Sequence, residues 1–337
     1  MNDSTVFVGL DYHQASIQVC VMDPNGKVLL NRRCRNDWMA IAEAAERCGR
    51  VARVAIESCT GAANLAEELV QQAGWCVDLA HPGYVKRLKG SPDKTDFSDA
   101  RLLADLERVG YVPKVWLAPE EVRELRRLVR YRQQLVSDRR NLKLRISALL
   151  RDQRIRSAPA RPWTIAWKAW IRTTSALSPQ SRWIVDRYLD RMEVVVHEIN
   201  EVEKRLAEVT KGDPIVVGLC SYQAIGPVTA WTIRAEIGRF DRFRNGKQLA
   251  RFCGLSPRNA SSGTRQADAG LIKAGNRQLR ATLMEAAHRL IRFDPYWIAF
   301  ARDLLDRGKP KCVVVAAVAN RWMRWLFHQM QPERLAA

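Results

Sequence analysis

Four carboxylates stand at positions where they can form a metal site. Asp11 and Glu57 each directly follow an apolar, strand-like run, and Asp96 and Asp99 lie three residues apart at the start of a predicted helix. This spacing places Asp96 and Asp99 on one face of that helix. Converging anions repel one another unless cations neutralise them, and oxygen-only ligands favour Mg²⁺ or Mn²⁺. The pattern therefore predicts a site in which two such ions polarise a phosphodiester.

Each acid also has a structural explanation when it is taken alone. Asp is common at helix starts because it caps free backbone N–H groups and suits the helix dipole, so Asp96 can be a capping residue. Asp11 and Glu57 can be ordinary residues at strand ends. The four positions taken together favour the metal site over these separate explanations.

A serine loop is the second candidate for chemistry. Ser261 and Ser262 precede Gly263 in a polar stretch that runs from Gly254 to Gly270. A serine hydroxyl in such a loop can attack a phosphate if a base or a metal activates it. Loops rich in Ser and Gly are common, so the residues by themselves favour a flexible polar loop.

The elements that would position the four acids alternate between strands and helices. The predicted strands are Val6–Leu10, Ser16–Met22, Lys27–Cys34, Val51–Ile56 and Trp75–Ala80. The first predicted helix is capped by Asp37 and ends near Cys48, and two more cover residues 62–73 and 96–108. Three consecutive strands followed by strand–helix crossovers are typical of an α/β domain of the RNase H/RuvC-like class, with a mixed five-stranded sheet. In this order the strand ends that carry Asp11 and Glu57 lie side by side.

Residues 119–156 and 181–211 each predict one long helix. Leucine recurs at every seventh position from Leu128 to Leu149, and the second helix has an apolar row spaced by four and three residues. These rows predict an antiparallel coiled-coil hairpin, formed within one chain or between protomers. Between the two helices, the spacing of Trp163, Trp167 and Trp170 places them on one helical face. A core stripe is favoured over base stacking for these rings.

Residues 213–337 predict a mainly helical domain. Ala224–Pro227 resembles a helix-hairpin-helix turn, which can offer backbone N–H groups to phosphate. Three helices follow at about residues 276–292, 296–306 and 311–330. The sequence thus predicts a catalytic domain over residues 1–115, a helical hairpin over residues 116–212 and a third domain over residues 213–337.

Charge is unevenly distributed along the 337 residues, which carry a net charge of +19. Residues 1–110 hold 13 Lys and Arg against 15 Asp and Glu, residues 111–212 hold 22 against 12, and residues 213–337 hold 20 against 9. A basic body joined to a slightly acidic domain favours nucleic acid as the partner over a merely solvated basic surface. The candidate contacts to nucleic acid are Lys86, Arg87, Lys89, Gly226, Arg258, Arg265, Lys273, Arg277 and Arg280.

Several other protein classes are disfavoured by composition. Apolar residues make up 47% of the chain and charged residues 27%, which is typical of a globular protein rather than a disordered or fibrous one. The eight cysteines form no C-x-x-C pair, so we expect reduced, buried thiols rather than a zinc finger. The five histidines lie in no hydrolase motif, and no nucleotide-binding glycine loop is present. Neither a signal peptide nor a membrane span is expected.

Over nearly its whole length the sequence resembles the transposases of bacterial insertion sequences of the insertion-sequence 110 family, which are recombinases guided by a bridge RNA. In the N-terminal part the resemblance is carried by Val8–Asp11, Ile56–Gly61 and Lys94–Arg101, and the last of these strings is highly specific. In the C-terminal part it is carried by Ile225–Pro227, Phe252–Arg258, Ser261–Gly263, Lys273–Asn276, Leu279 and Arg280.

The resemblance implies a RuvC-like domain whose D-E-D-D metal site matches Asp11, Glu57, Asp96 and Asp99. It also implies a transposase domain whose catalytic serine matches Ser262, with Ser261 as the alternative. This serine would attack a DNA phosphate and form a covalent phosphoserine intermediate, assisted by a Mg²⁺ site from another protomer. A structured bridge RNA would pair with donor and target DNA. The resemblance further implies a dimer or tetramer in the bacterial cytoplasm, associated with the nucleoid.

Two other functions stay open on the sequence. A hydrolytic nuclease of the RuvC type would use the same four acids with water as the nucleophile, and it would not need Ser262. A non-catalytic nucleic-acid-binding protein would use the basic body, and its acids would be structural. Substitution of Ser262 separates the recombinase from the nuclease, and substitution of Asp11 or Asp99 separates both from the binding protein.

Overall fold

A computed structural model describes residues 4–89, 95–155, 159–174, 176–259, 268–272 and 275–335. The chain divides into two compact units, Met1–Pro119 and Glu120–Ala337. A further division of the second unit into a helical hairpin and a separate domain stays a prediction. None of the described helices has an apolar stretch long enough to cross a membrane.

The first unit is built on a mixed six-stranded sheet. Its strands are β1 (Thr5–Tyr12), β2 (Ser16–Met22), β3 (Val28–Arg35), β4 (Arg50–Glu57), β5 (Val77–Ala80) and β6 (Lys114–Val115). The spatial order is β3-β2-β1-β4-β5-β6, with β1, β4 and β5 parallel to one another and the remaining pairings antiparallel. The RNase H-like order of the five predicted strands is confirmed. The additional strand β6 has two residues, too few for an alternating pattern to reveal.

Helices cover both faces of this sheet. They are α1 (Trp38–Glu46), α2 (Ala62–Gln72), α3 (Pro82–Leu88) and α4 (Asp96–Arg108). On one face, Ile41 of α1 and Leu69 of α2 share a buried cluster with Val8 and Val54 of the sheet. On the other face, Ala100 and Ala104 of α4 pack with Cys20 and Met22 of β2. As predicted, Asp37 caps α1, because its carboxylate accepts from the backbone N–H groups of Met39 and Ala40.

Strand β1 and helix α4 approach each other closely at Gly9. A Cβ atom on Gly9 would lie 2.1 Å from the carbonyl oxygen of Ala100 and 2.3 Å from the backbone nitrogen of Ala104. Any side chain at this position would therefore push the helix away from the sheet. The close approach fixes the first turn of α4, which carries Asp96 and Asp99, relative to the end of β1.

The second unit is mainly helical. Its elements are α5 (Glu120–Asp152), α6 (Ile165–Thr173), α7 (Pro179–Val209), α8 (Pro214–Cys220), α9 (Pro227–Ile237), α10 (Gly246–Phe252), β7 (Pro257–Asn259), β8 (Asp268–Leu271), α11 (Arg277–Phe293), α12 (Pro295–Asp306), α13 (Lys311–Gln329) and α14 (Pro332–Leu335). The two long helices and the three C-terminal helices are confirmed to within four residues at each end, because their apolar periodicity extends over many turns.

Helices α5 and α7 pack against each other as an antiparallel pair. Leu135, in the first half of α5, shares a cluster with Leu206 near the end of α7. Ile146, in the second half of α5, packs with Leu189 near the beginning of α7. The pair therefore forms within one chain. A coiled-coil geometry and an oligomer built on it stay predictions.

The tryptophan-rich segment between α5 and α7 belongs to the core of this helical pair. Trp167 is buried, its ring lies 4.7 Å from that of Trp163 and 6.3 Å from that of Trp170, and it packs in one cluster with Ile146. The core interpretation is confirmed. One detail differs from the prediction, because Trp163 precedes α6 with a φ of +72° and so does not share a helical face with the other two rings.

The cysteines differ from expectation in their burial. All eight are free thiols, but burial holds only for Cys20 and Cys253, whereas Cys59, Cys76, Cys220 and Cys312 are exposed. The prediction of buried thiols was wrong for these four because an apolar stretch of sequence also contains residues on the solvent side of a helix or strand.

Candidate metal centre

Strands β1 and β4 bring Asp11 and Glu57 to the same edge and the same face of the sheet. Asp11 is the second-last residue of β1 and Glu57 the last residue of β4, and the preceding residues Leu10 and Ile56 are direct partners in the parallel pairing. Alternate residues of a strand face the same side. Gly9 faces α4, so Asp11, two residues further on, also lies on the α4 side.

Helix α4 begins at the predicted residue, and its cap is Thr95 rather than Asp96. The Thr95 hydroxyl oxygen accepts a hydrogen bond of 3.1 Å from the backbone N–H of Ser98. Asp96 is therefore not needed as a cap, and its carboxylate instead contacts side chains from other elements. The capping explanation for Asp96 does not hold in this fold.

A histidine lies between two of the predicted acids. His13 Nε2 is 3.4 Å from Oδ2 of Asp11 and 3.2 Å from Oδ1 of Asp96. One ligand atom from each of these three side chains lies within 4.8 Å of the others. Asp11, His13 and Asp96 are thus close enough to coordinate one ion.

Two cations neutralise the acids of α4. Arg33 of β3 donates from Nη2 to Oδ2 of Asp96 at 2.9 Å, and Lys89 Nζ lies 2.5 Å from Oδ1 of Asp99. Asp99 is 4% exposed, so its charge is largely removed from water, and the pair with Lys89 is the described interaction that compensates it. Both cations come from outside α4, and their contacts draw the helix start toward β3 and the end of α3.

The charges of the other three acids all act on the pKa of Asp11. Burial raises the pKa of Asp11 above its usual value, His13 opposes that rise, and the negative charges of Asp99, Asp96 and Glu57 add to it. The hydrogen bond from Arg33 lowers the pKa of Asp96, with His13 contributing in the same direction. Glu57 and Asp99 lie outside the tight group of three but near enough for their charges to act on Asp11.

This donor set fits a hard divalent cation. The four carboxylates are ligands of the kind that Mg²⁺ and Mn²⁺ prefer, and the excess of negative charge around Asp11 favours a cation. The imidazole of His13 is a donor more typical of softer transition metals. The sequence had singled out the four acids. It missed His13 and Arg33, although the string Asp11-Tyr12-His13 held a usable signal, since alternate residues near a strand end face the same side.

The candidate nucleic-acid contacts have varied surroundings. Lys86, Arg87, Arg258 and Arg277 are exposed, and Gly226 is the exposed N-cap of α9. Lys89 forms the ion pair with Asp99, and Arg280 donates to the carbonyl oxygen of Ile272 at 3.5 Å. Whether any of them contacts nucleic acid stays a prediction.

Several candidate residues lie outside the described part of the chain. They are Ser261, Ser262, Arg265 and Lys273. The described residues that flank the serines form an antiparallel pair of short strands, β7 and β8, in which Pro257 is the partner of Leu271 and Asn259 that of Asp268. The serine-bearing segment thus connects two strands that lie next to each other.

Comparison with known proteins identifies the family. A family model for DEDD-type transposases of the IS110 group, described as a transposase, matches residues 8–154, and a model described as the transposase IS116/IS110/IS902 family matches residues 218–302. Both the four acids and the serine loop fall within the matched ranges.

Relatives from several bacteria match most of the chain. The transposase for insertion sequence element IS1111A of Coxiella burnetii is 27% identical over 85% of this chain and 78% of its own length. A probable family 20 transposase of Pseudomonas aeruginosa is 29% identical over 83% of this chain and 84% of its own. The transposase for insertion sequence element IS1533 of Leptospira borgpetersenii is 24% identical over 98% and 97%, respectively. This chain belongs to the IS110 family of transposases.

Proposed function

We propose that this chain is the transposase of a bacterial insertion sequence, and that it cuts and rejoins DNA through a covalent bond between a serine and a DNA phosphate. The observation that carries the proposal is the grouping of Asp11 and Asp96 around His13 at the end of β1, with Glu57 and Asp99 near enough for their charges to raise the pKa of Asp11. Such a cluster of acids is costly for a fold to maintain unless a cation is bound there.

The four carboxylates, with His13 as a fifth donor, would hold the divalent cation. When bound, Mg²⁺ polarises the phosphodiester and offsets the charge that develops in its displacement. Arg33 and Lys89 neutralise Asp96 and Asp99 in the protein alone. With a metal bound, Asp96 and Asp99 would no longer need these two partners, and Arg33 and Lys89 would be available to the phosphates on either side of the cleavage point.

Ser262 is the proposed nucleophile, with Ser261 as the alternative. The serine hydroxyl gives up its proton to a base, and its oxygen bonds to phosphorus. The bond from phosphorus to one deoxyribose oxygen breaks, and that oxygen takes up a proton. Attack by a hydroxyl from another DNA end reverses these steps and releases the serine, so the number of phosphodiester bonds is conserved and no external energy source is required.

The choice of DNA sites is assigned to a bridge RNA, and the chemistry to an oligomer with sites shared between protomers. These parts of the proposal rest on the family resemblance and on charge. Residues 111–337 hold 42 Lys and Arg against 21 Asp and Glu, an excess of 21 that suits the backbone of a guide RNA and two DNA duplexes. The α5–α7 pair offers a surface for association, and the setting is the bacterial cytoplasm and its nucleoid.

The test is a search for protein covalently attached to DNA. The protein is incubated with Mg²⁺, donor and target DNA and the RNA transcribed from the element's flank, and the products are separated on a denaturing gel. We expect an adduct in the wild type that disappears in Ser262→Ala but persists in Ser261→Ala. In Asp11→Asn neither adduct nor cleavage is expected.

Two outcomes would contradict the proposal in different ways. Free cut ends without an adduct in both the wild type and Ser262→Ala would indicate a hydrolytic nuclease of the RuvC type. Unchanged cleavage in Asp11→Asn and Asp99→Asn would remove the metal site from the mechanism altogether.

A further inference from the structure

A large groove lies in the second unit and is lined by six elements, α10, β7, β8, α11, α12 and α13. Its floor is one face of α13, where the small residues Ala316 and Ala317 leave room above the helix. Trp297 and Phe300 of α12 form one wall, and Leu271 of β8 lies on another. The groove has a volume of about 1690 Å³, more than the roughly 300–1,000 Å³ of a pocket that encloses one drug-sized ligand.

The rim of this α13 groove is positively charged. Lys247, Lys309, Arg321 and Arg324 line it and are all exposed, and no Asp or Glu is among the described residues that line it. Within the described part of the chain, none of these four cations forms an ion pair. A cleft with cations of one sign and low-dielectric walls concentrates anions from solution.

Aromatic rings accompany these cations. Arg321 lies over the ring of Phe300, with its guanidinium carbon 4.8 Å from the ring centre. Tyr296, which is 56% exposed, packs edge-on against Trp297 at 4.9 Å, and Trp325 is 39% exposed. Rings that keep one face open next to exposed cations suit a ligand that is both planar and anionic.

We propose that the α13 groove binds unpaired nucleotides of a nucleic-acid strand. The bases would stack on the rings of α12 and enter the space above Ala316 and Ala317, and the phosphates would contact the rim cations. Base stacking on aromatic side chains together with a cationic path for the backbone is how proteins bind single strands. A duplex keeps its bases paired and stacked internally, so it could use the rim but not the rings.

Charge decides between this ligand and a second copy of the chain. The apolar floor alone would also accept a helix of another protomer. Every charged lining residue that the structure describes is a cation, however, and the second unit is itself strongly basic, with 20 Lys and Arg against 9 Asp and Glu over residues 213–337. Like charges brought together in a small interface are unfavourable, whereas a polyanion gains from them.

The first experiment measures binding of labelled oligonucleotides of about 12 nucleotides, within the site sizes known for single strands, by fluorescence anisotropy. Single-stranded DNA, single-stranded RNA and the matching DNA duplex are separate arms. Either single strand should bind more tightly than the duplex, and the tighter of the two identifies the natural strand. Tyr296→Ala should weaken single-strand binding at least about fivefold with little effect on the duplex. Arg321→Ala should weaken single-strand binding to a similar extent and should weaken duplex binding as well, because a duplex can contact the rim.

Matched control variants exist on the same and the neighbouring helix. Arg302→Ala removes an exposed cation from α12 that does not line the groove, and Phe293→Ala removes a ring that is 48% exposed at the end of α11. Neither control should alter single-strand binding appreciably. Equal losses in control and groove variants, or equal binding of single strand and duplex, would overturn the proposal.

The second experiment needs no substitution. Cys312 lines the groove and is exposed, and Cys220 is an exposed thiol of the same unit outside it. The rate of alkylation of each thiol by N-ethylmaleimide is measured by mass spectrometry. Single-stranded oligonucleotide should slow the alkylation of Cys312 and leave that of Cys220 unchanged. No protection would overturn the proposal. In the absence of oligonucleotide, protection of Cys312 that increases with protein concentration would also overturn the proposal, because it would indicate a second copy of the chain in the groove.

These readouts are independent of strand cleavage. They use the full-length protein without donor DNA or Mg²⁺, so the groove can fail as a binding site while the serine adduct still forms. Conversely, in an Asp11→Asn protein that cuts no DNA, single-stranded oligonucleotide should still protect Cys312 from alkylation.

Discussion

Replacing Gly9 by alanine tests whether the fit of α4 against β1 sets the geometry of the acids. The new Cβ atom would lie 2.1 Å from the carbonyl oxygen of Ala100, whereas ordinary contacts of this kind begin at 3.4 Å. The shortfall is 1.3 Å (3.4 less 2.1), and the obstructing atoms are backbone, so no side-chain rotation can relieve it. Helix α4 must move away from the strand, and Asp96 and Asp99 must move with it.

The expected cost differs between stability and activity. Overpacking of this kind destabilises by about 1–3 kcal/mol, which lowers the melting temperature but leaves the fold intact. A displacement of about 1 Å at a catalytic centre can cost about 10²-fold in rate. Gly9→Ala should therefore retain a cooperative thermal transition, lose most of its stabilisation by Mg²⁺ and lose about two orders of magnitude in strand cleavage.

Gly74→Ala is the matched control for this prediction. Gly74 has a φ of +68°, and a Cβ there would meet nothing within 4 Å, so alanine brings backbone strain of about 1 kcal/mol or more without moving α4. The control should lose stability and keep its response to Mg²⁺. A Gly9→Ala protein with wild-type Mg²⁺ affinity and wild-type cleavage would refute the assignment of α4 as the support of the site.

Three further substitutions test individual contacts. Lys89→Met removes the described partner of Asp99, which is 4% exposed, and should cost about 3 kcal/mol in the metal-free protein, a loss that Mg²⁺ partly restores in thermal unfolding. Arg53→Met removes the hydrogen bond of 2.6 Å to buried Glu107, and in urea unfolding it should cost about 2 kcal/mol, less than a fully buried pair because Arg53 is 38% exposed. Trp167→Ala should cost about 3–5 kcal/mol, because this side chain is 2% exposed in the core between α5 and α7.

Each of these substitutions has a control of the same chemical type on the surface. Lys86→Met and Arg50→Met remove exposed cations near Lys89 and Arg53 in sequence, and Trp183→Ala removes a ring that is 66% exposed. All three should change the free energy of unfolding by no more than about 0.5 kcal/mol. A Lys89→Met protein as stable as Lys86→Met would show that the contact with Asp99 is electrostatically neutral. A Trp167→Ala protein that lost oligonucleotide binding but not stability would revive the base-stacking interpretation.

Local sequence determined the elements of this protein and much of the candidate site. Each long helix repeats its apolar spacing over many turns, so α5, α7 and α13 were predicted to within four residues at each end. Asp11 and Glu57 stand next to apolar strand-like runs, and Asp96 opens a helix whose first residue was predicted correctly. The order of strands and helices then sufficed for an RNase H-like sheet, because few topologies are compatible with it.

The contacts around those acids were decided by the tertiary structure. Arg33 reaches Asp96 across 63 residues of sequence, and the pairing of Lys89 with Asp99 depends on how α3 and α4 meet, which no local pattern encodes. The α13 groove is assembled from six elements that meet only through their packing, so its cations could not be told from solvated surface charges by sequence. Periodicity specifies which residues turn inward, whereas the neighbours that a residue meets there depend on the packing of whole elements.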